Sequence, residues 1–300
     1  MSVAPIVLFA YKREEHLRLC VDSLLANDLA SKSELIVYCD QAANDNDNDS
    51  VLAVRRYAHQ INGFKSVTVI LRSVNLGLSR SIISGVTETL KYYSSVIVIE
   101  DDLVVSRHFL KFMNDGLQKY QDEERVISIH GYVYPTGDNL PSTFFLRGAD
   151  CWGWATWSRA WTTFNENGAF LLEQIRARRL SGLFDFNGTG PFLKMLRRQS
   201  AGLNDSWAIR WYASAFLADK LTLYPGVSLV TNIGMDGSGT HCPESRVFEA
   251  ALAKEPIEIS DIAIIDANSA RASFEAYFRR NKVGIFEKCY RLIMNKYKRK

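Results

Sequence analysis

Four β-branched residues in a row, Val96, Ile97, Val98 and Ile99, run straight into three carboxylates, Glu100, Asp101 and Asp102. An unbroken apolar run has no polar side to turn to water, so it reads as a strand covered on both faces, as in a parallel sheet. Parallel strands need crossover connections, usually helical, which points the chain to the α/β class. Three adjacent anions at the strand's end repel one another unless a cation sits among them. Oxygen-only ligands suit Mg²⁺ or Mn²⁺ better than zinc. A solvated acidic turn ahead of the next helix is the plainer alternative.

The residues before this run repeat the same grammar. Apolar patterning predicts strands over 5–10, 35–39, 67–71 and 96–99. Helices are predicted between them over 14–27, 51–60 and 79–93, the first with Leu17, Val21, Leu24 and Leu25 on one face. Ligands of open parallel sheets bind beyond the carboxyl ends of the strands. Those ends carry Tyr11-Lys12-Arg13, then Asp40, then Arg72 and Asn75, then the acid triplet. Basic groups beside a carboxylate cluster would serve the anions and the cation of a metal-bound nucleotide diphosphate.

Other readings fall away. No G-x-G-x-x-G or P-loop follows the first strand, which argues against NAD, FAD and Walker-type nucleotide sites. The Asn/Asp run over 44–49 fails as a calcium loop: counted from Asp45, position 6 is Ser50 rather than Gly and position 12 is Arg56 rather than Glu. It reads as a mobile polar loop. A net charge of +3 over 300 residues gives no ground for a nucleic-acid partner. Charge is instead concentrated at the end. Residues 271–300 hold ten Lys/Arg against Glu275 and Glu287, about +8, leaving about −5 for the rest. The five cysteines (Cys20, Cys39, Cys151, Cys242, Cys289) are scattered without a C-x-x-C, as expected of reduced thiols in a cytosol. No run approaches the roughly 18 apolar residues of a spanning helix.

With these pieces placed, the chain resembles the metal-dependent nucleotide-sugar glycosyltransferases of the GT-A fold. More narrowly, it is similar to the N-acetylglucosaminyltransferases that begin complex N-glycan branching. The similar stretches are residues 5–13, 36–40 and 98–103, then 224–228 leading through Thr231 and Gly234 to 237–241. The resemblance implies that Arg13 and Asp40 hold the nucleotide, Asp40 near the base, and that Asp101 lies by the ribose. It implies Asp102 as a ligand of Mn²⁺ (or Mg²⁺) bridging the diphosphate, with Glu100 facing the donor sugar. The family's Trp-Asp-Asp-Trp, whose second Asp is the base, stands here as Leu203-Asn204-Asp205-Ser206-Trp207, with Asp205 displaced by one residue. Asp205 is thus the candidate base, and equally a candidate N-cap for the helix that follows.

The remaining candidates each have an ordinary alternative. His241, in the Gly/Ser/Thr-rich stretch 237–241, is a candidate phosphate contact or metal neighbour, or only a solvated loop histidine. Trp154, Trp157 and Trp161 stand at helical spacing and read as core. Asp150 and Trp152, just ahead of them, are candidate sugar contacts. Arg80, near the predicted start of the third helix, could meet a phosphate there, although the Asn75-Leu76-Gly77 sequence before it is also turn chemistry. Phe286, Tyr290, Ile293 and Tyr297 line one face of a basic amphipathic helix over 284–300, for a membrane surface or for docking on the domain.

The expected architecture is a GT-A domain over 1–265, its nucleotide-binding half at 1–103 and its acceptor half at 104–265, followed by a basic helical tail over 266–300. The expected function is inverting transfer from a nucleotide-diphosphate sugar, UDP-sugar first, to a glycan or lipid-linked acceptor in surface polysaccharide (O-antigen or capsule) synthesis. The location would be the cytoplasm or the inner face of the cell membrane. A non-catalytic carbohydrate-binding relative and a sugar-1-phosphate nucleotidyltransferase are the alternatives.

Overall fold

The computed structural model describes residues 3–236 and 247–282. The apolar runs of the first hundred residues become four parallel strands with helical crossovers. In chain order they are β1 (Ile6–Ala10), α1 (Glu14–Leu25), β2 (Glu34–Cys39), α2 (Asn48–Ala58), β3 (Ser66–Leu71), α3 (Gly77–Thr89) and β4 (Ser95–Glu100). The strands pair in the order β3-β2-β1-β4, all parallel. Ile6, Val7 and Leu8 of β1 and Val96, Ile97 and Val98 of β4 are wholly buried, as the uninterrupted apolar runs require. β3 is the edge, and its residues are exposed or half-buried. α3 lies tight on β1 because Gly85 has no side chain: a Cβ there would stand 2.6 Å from the Phe9 ring.

The Asn/Asp run expected to be a mobile loop is instead built into the fold. Asp45–Asp47 form a single 3₁₀ turn and α2 begins directly at Asn48. Asp47 accepts from Lys12 Nζ at 2.7 Å and from the Tyr11 hydroxyl at 2.8 Å, which ties this turn to the loop after β1.

The second half continues with β5 (Leu103–Val105), α4 (Phe109–Lys119), β6 (Val126–His130), β7 (Thr143–Arg147), β8 (Trp154–Trp157) and α5 (Ser158–Trp161). After these come α6 (Gly168–Ala177), α7 (Ser181–Phe184), α8 (Phe192–Ser200), α9 (Trp207–Leu217), β9 (Leu221–Pro225), β10 (Val230–Asn232) and α10 (Asn268–Asn281). β8 inserts antiparallel between β4 and β6, and β9 and β7 complete a mixed, mostly parallel sheet in the order β3-β2-β1-β4-β8-β6-β9-β7. The fold is therefore α/β, with helices flanking the sheet.

Here the tryptophan spacing misled. Residues 154–157 are a strand, not a helix, so Trp154 and Trp157 fall on opposite faces of the sheet. Trp157 Nε1 donates to the Leu117 carbonyl of α4 at 3.1 Å. Trp154 stacks on Trp207 of α9, ring centres 5.5 Å apart, and Trp161 and Trp211 close the same cluster. The expectation that Trp154, Trp157 and Trp161 are core holds, since all three are buried.

Two features bring the late chain to the early one. β10 pairs antiparallel with β5, which carries residues 231–236 back over the end of β4. α10 packs Phe274 against Tyr134 and Phe144, so residues 268–281 share a core with β7. The amphipathic pattern over 284–300 lies outside the described residues. Among those described, no helix is long and apolar enough to cross a membrane.

Candidate functional site

The strand ends converge as parallel pairing demands. Phe9 pairs with Glu100 in the β1–β4 register, Asp101 N donates to the Phe9 carbonyl at 3.0 Å, and Asp40 N donates to the Ala10 carbonyl at 3.0 Å. Backbone direction alone thus sets Asp40 and Asp101 on either side of the turn after β1. From that turn Arg13 reaches into the acidic cluster. Its Nη2 donates to Asp101 Oδ1 at 3.0 Å and to Asp102 Oδ2 at 2.8 Å. Tyr11 N, 3.3 Å from Asp101 Oδ2, adds a weaker donor.

The electrostatics follow from crowding three acids into one place. Removal from water raises the Glu100 pKa well above the ordinary range; repulsion from Asp102 and Asp101 adds to this and Arg13 opposes it. Asp101 is pushed up to about 6, by burial first, with Arg13 pulling down and Asp102 pushing up. For Arg13, burial disfavours the charged form, but Asp101 and Asp102 outweigh it and raise its pKa. The cluster is short of positive charge even with Arg13 in place.

Three observations fit a divalent cation here. The donors are all oxygen, which suits Mn²⁺ or Mg²⁺. A guanidinium already stands as a cation on two of the carboxylates. Gly234 provides the third: a Cβ on it would lie 2.3 Å from Asp102 Oδ2 and 2.8 Å from Arg13 Nη1, so only glycine leaves that oxygen uncovered. Among the described residues no three His, Cys, Asp or Glu side chains converge as a closed metal cage. The remaining ligands would have to come from water or a bound phosphate, as is usual for Mg²⁺.

Asp40 is buried. Its Oδ1 accepts from Gln41 N and Leu76 N, and its Oδ2 from Gly77 N, all at 2.9 Å. It therefore anchors the start of α3 at the strand ends. Arg72 turns aside to Glu88 and Ser84 of α3, and Asn75 Nδ2 donates to the Gln41 carbonyl at 2.6 Å. Arg80 is exposed on α3.

The β7–β8 loop carries the next two candidates, Asp150 and Trp152. Asp150 accepts from Cys151 N at 3.0 Å and faces the Tyr134 hydroxyl at 3.5 Å and His130 Nε2 at 3.9 Å. The Cys151 thiol is raised by burial and by the charges of Asp150, Glu100 and Asp102, which places this loop within electrostatic reach of the cluster. Trp152 is half-buried, its ring set edge-on against Tyr132 and Phe248.

Asp205 does not cap its helix: Ser206 is the N-cap of α9, its side chain accepting from Ile209 N. The cap reading placed the helix start one residue early. Asp205 is 71% exposed and pairs with Arg210 Nη2 at 3.1 Å. Arg210 itself is buried and also bonds Ser79 Oγ of α3 at 2.6 Å. A chain of contacts thus runs from Asp40 through the start of α3 to Arg210 and Asp205. His241 lies within 237–246, outside the described residues.

Sequence reasoning overlooked the roles of Arg210, His16 and His130. Arg210 sits between Ile209 and Trp211 in a buried helix, and an arginine in such a run was the available signal. His16, a turn beyond Arg13, pairs with Asp236 Oδ2 at 3.2 Å and so meets the returning chain. His130 ends β6 with neither ring nitrogen hydrogen-bonded among the described residues, and burial lowers its pKa to about 4.

The fold is thus α/β, with an acidic cluster at the end of β4 and Arg13, from the turn after β1, set into it. The profile of Glycosyl transferase family 2 matches residues 6–183, more than half of the chain, and the chain belongs to that family. A search of curated proteins finds no match. Among solved structures, the chain is similar to the mannosyltransferase PcManGT from Pyrobaculum calidifontis, in complex with GDP-Man and Mn²⁺. That similarity has 15% identity and a TM-score of 0.37, over 72% of this chain and 77% of that one. It is also similar to S. aureus TarS 1-349, with 13% identity and a TM-score of 0.33, over 51% of this chain and 47% of that one.

Proposed function

We propose that this glycosyltransferase moves a sugar from a nucleotide-diphosphate donor to a glycan or lipid-linked acceptor, with inversion and with Mn²⁺ or Mg²⁺ bound at Asp102. The observation that carries this reading is the Arg13 guanidinium set on Asp101 and Asp102 at the ends of β1 and β4. It marks a place built for a cation that also offers a phosphate-binding fork. The bound ion would act as a Lewis acid on the departing diphosphate.

The chain's own residues take the other tasks. Asp40 fixes the start of α3 beside the nucleotide, Asp101 offers a carboxylate to the ribose, and Glu100 faces the donor sugar. Asp150 and Trp152 border the same space and contact sugar hydroxyls and a sugar face. Asp205 acts as base: the acceptor oxygen forms its bond to the anomeric carbon, its proton passes to the carboxylate, and the bond to the β-phosphate oxygen breaks. A UDP-sugar is the expected donor, and surface polysaccharide built at the inner face of the cell membrane the expected product.

The test is product analysis. Incubation with UDP-, GDP- and dTDP-sugars and Mn²⁺, followed by NMR, should show one donor consumed and a product of inverted anomeric configuration. Retained configuration would remove the single-displacement mechanism. Consumption of none of them would remove the assigned donor class.

A further inference from the structure

We propose that Arg13 is an exchangeable counter-ion: it holds Asp101 and Asp102 in the free protein and passes to the diphosphate when metal and nucleotide bind, so that the two bind as a pair. This rests on the metal-dependent reading above and adds an order to it.

The geometry leaves little choice. One nitrogen, Nη2, serves both carboxylates, and the oxygen it holds on Asp102 is the one that Gly234 leaves uncovered. An ion ligated by that oxygen would stand against the guanidinium charge in a half-buried setting. The two cations repel strongly there, so one must leave or an anion must come between them. The backbone of Arg13 cannot retreat, because its carbonyl accepts from Leu17 N at 3.0 Å and starts α1. Only the side chain can swing. A planar guanidinium released from two carboxylates finds its best new partner in phosphate oxygens, which it matches with the same fork. Metal alone must displace Arg13 without giving it a partner. Nucleotide alone draws Arg13 to its diphosphate and leaves Asp101 and Asp102 without their counter-ion beside it. Together each removes the other's obstacle, which is positive coupling between two ligands.

The experiment measures Mn²⁺ alone by electron paramagnetic resonance, and UDP and GDP with and without Mn²⁺ by calorimetry, on the wild type, Arg13→Gln and Arg13→Lys. In the wild type, Mn²⁺ should raise the affinity for the bound diphosphate by roughly 10- to 100-fold, within the range of typical coupling. Arg13→Gln should bind Mn²⁺ alone more tightly, by about 10-fold, and the nucleotide less tightly, so the coupling collapses. Arg13→Lys keeps the charge and should hold Mn²⁺ affinity near the wild-type value, which guards against a Gln variant that folds poorly. A residue with a merely structural role would weaken both ligands together, and that result, or unchanged Mn²⁺ affinity in Arg13→Gln, would overturn the exchange. Coupled binding in the wild type without the opposite shifts would sink this inference and leave the site reading standing. If the wild type bound neither Mn²⁺ nor nucleotide, both would fall.

Discussion

The two halves of the sheet solve different problems. In the parallel half, β1, β2 and β4 end together and deliver Arg13, Asp40 and the acid triplet to one place, with nearly every charge paired or hydrogen-bonded. The antiparallel half around β8 is aromatic: Trp154, Trp161, Trp207 and Trp211 pack ring against ring, and the buried indole nitrogens of Trp154 and Trp211 and both ring nitrogens of His130 have no hydrogen-bond partner among the described residues. One half positions charge and the other supplies volume. The difference shows that strand direction alone can assemble a charged site, whereas the wall facing it depends on how large rings pack.

The largest effect should come from asking whether the aromatic half also supplies the base. Asp205→Asn should lower kcat by about 10²- to 10⁴-fold with little change in donor KM, the size expected for loss of a general base. Asp150→Asn should act mainly on KM. The reverse pattern in steady-state kinetics would move the base to Asp150, whose neighbour Cys151 feels the charges of Glu100 and Asp102. Trp154→Ala should destabilise by about 3–5 kcal/mol through the cavity it leaves in the ring cluster, measured by urea unfolding. A loss under about 1 kcal/mol would mean that the rings collapse freely and the wall is not rigidly packed.

His130 gives the third contrast. Its pKa falls from the ordinary 6.5 to about 4 on burial, so between these values the unfolded chain binds more protons than the folded one. Stability from this group is complete above pH 6.5 and is lost as pH falls through 4, a change of about 3 kcal/mol by linkage. Unfolding free energies at pH 7 and pH 4.5 should differ less in His130→Asn than in the wild type; equal slopes would contradict the burial account. The smallest effect belongs to the parallel half. Gly85→Ala pushes a methyl to within 2.6 Å of the Phe9 ring, and overpacking of this kind costs about 1–3 kcal/mol, readable as a lowered Tm.

The same contrast explains what was legible in the sequence. Strands and crossovers of the parallel half are local patterns, and β1, α1, β2, β3 and β4 begin and end within a residue or two of expectation. Arg13, Asp40 and the triplet come together as expected because they follow those strands closely. β8 was misread because its pairing with β4 and β6 is non-local, while the spacing of Trp154, Trp157 and Trp161 also fits a helix. The N-cap of α9 slipped by one because Asn204, Asp205 and Ser206 are all good caps and only the geometry selects Ser206. The Asn/Asp run looked mobile because its anchors, Tyr11 and Lys12, lie more than thirty residues away.

The central claim is that the β1 and β4 ends form a metal-assisted diphosphate site. Calorimetric titration of UDP, GDP, dTDP and CMP into the wild type and Asp102→Asn, each with and without Mn²⁺, tests it most directly. The account predicts that one nucleotide binds tightly only with Mn²⁺ and that Asp102→Asn abolishes this. Nucleotide binding that ignores the metal and survives Asp102→Asn would contradict it.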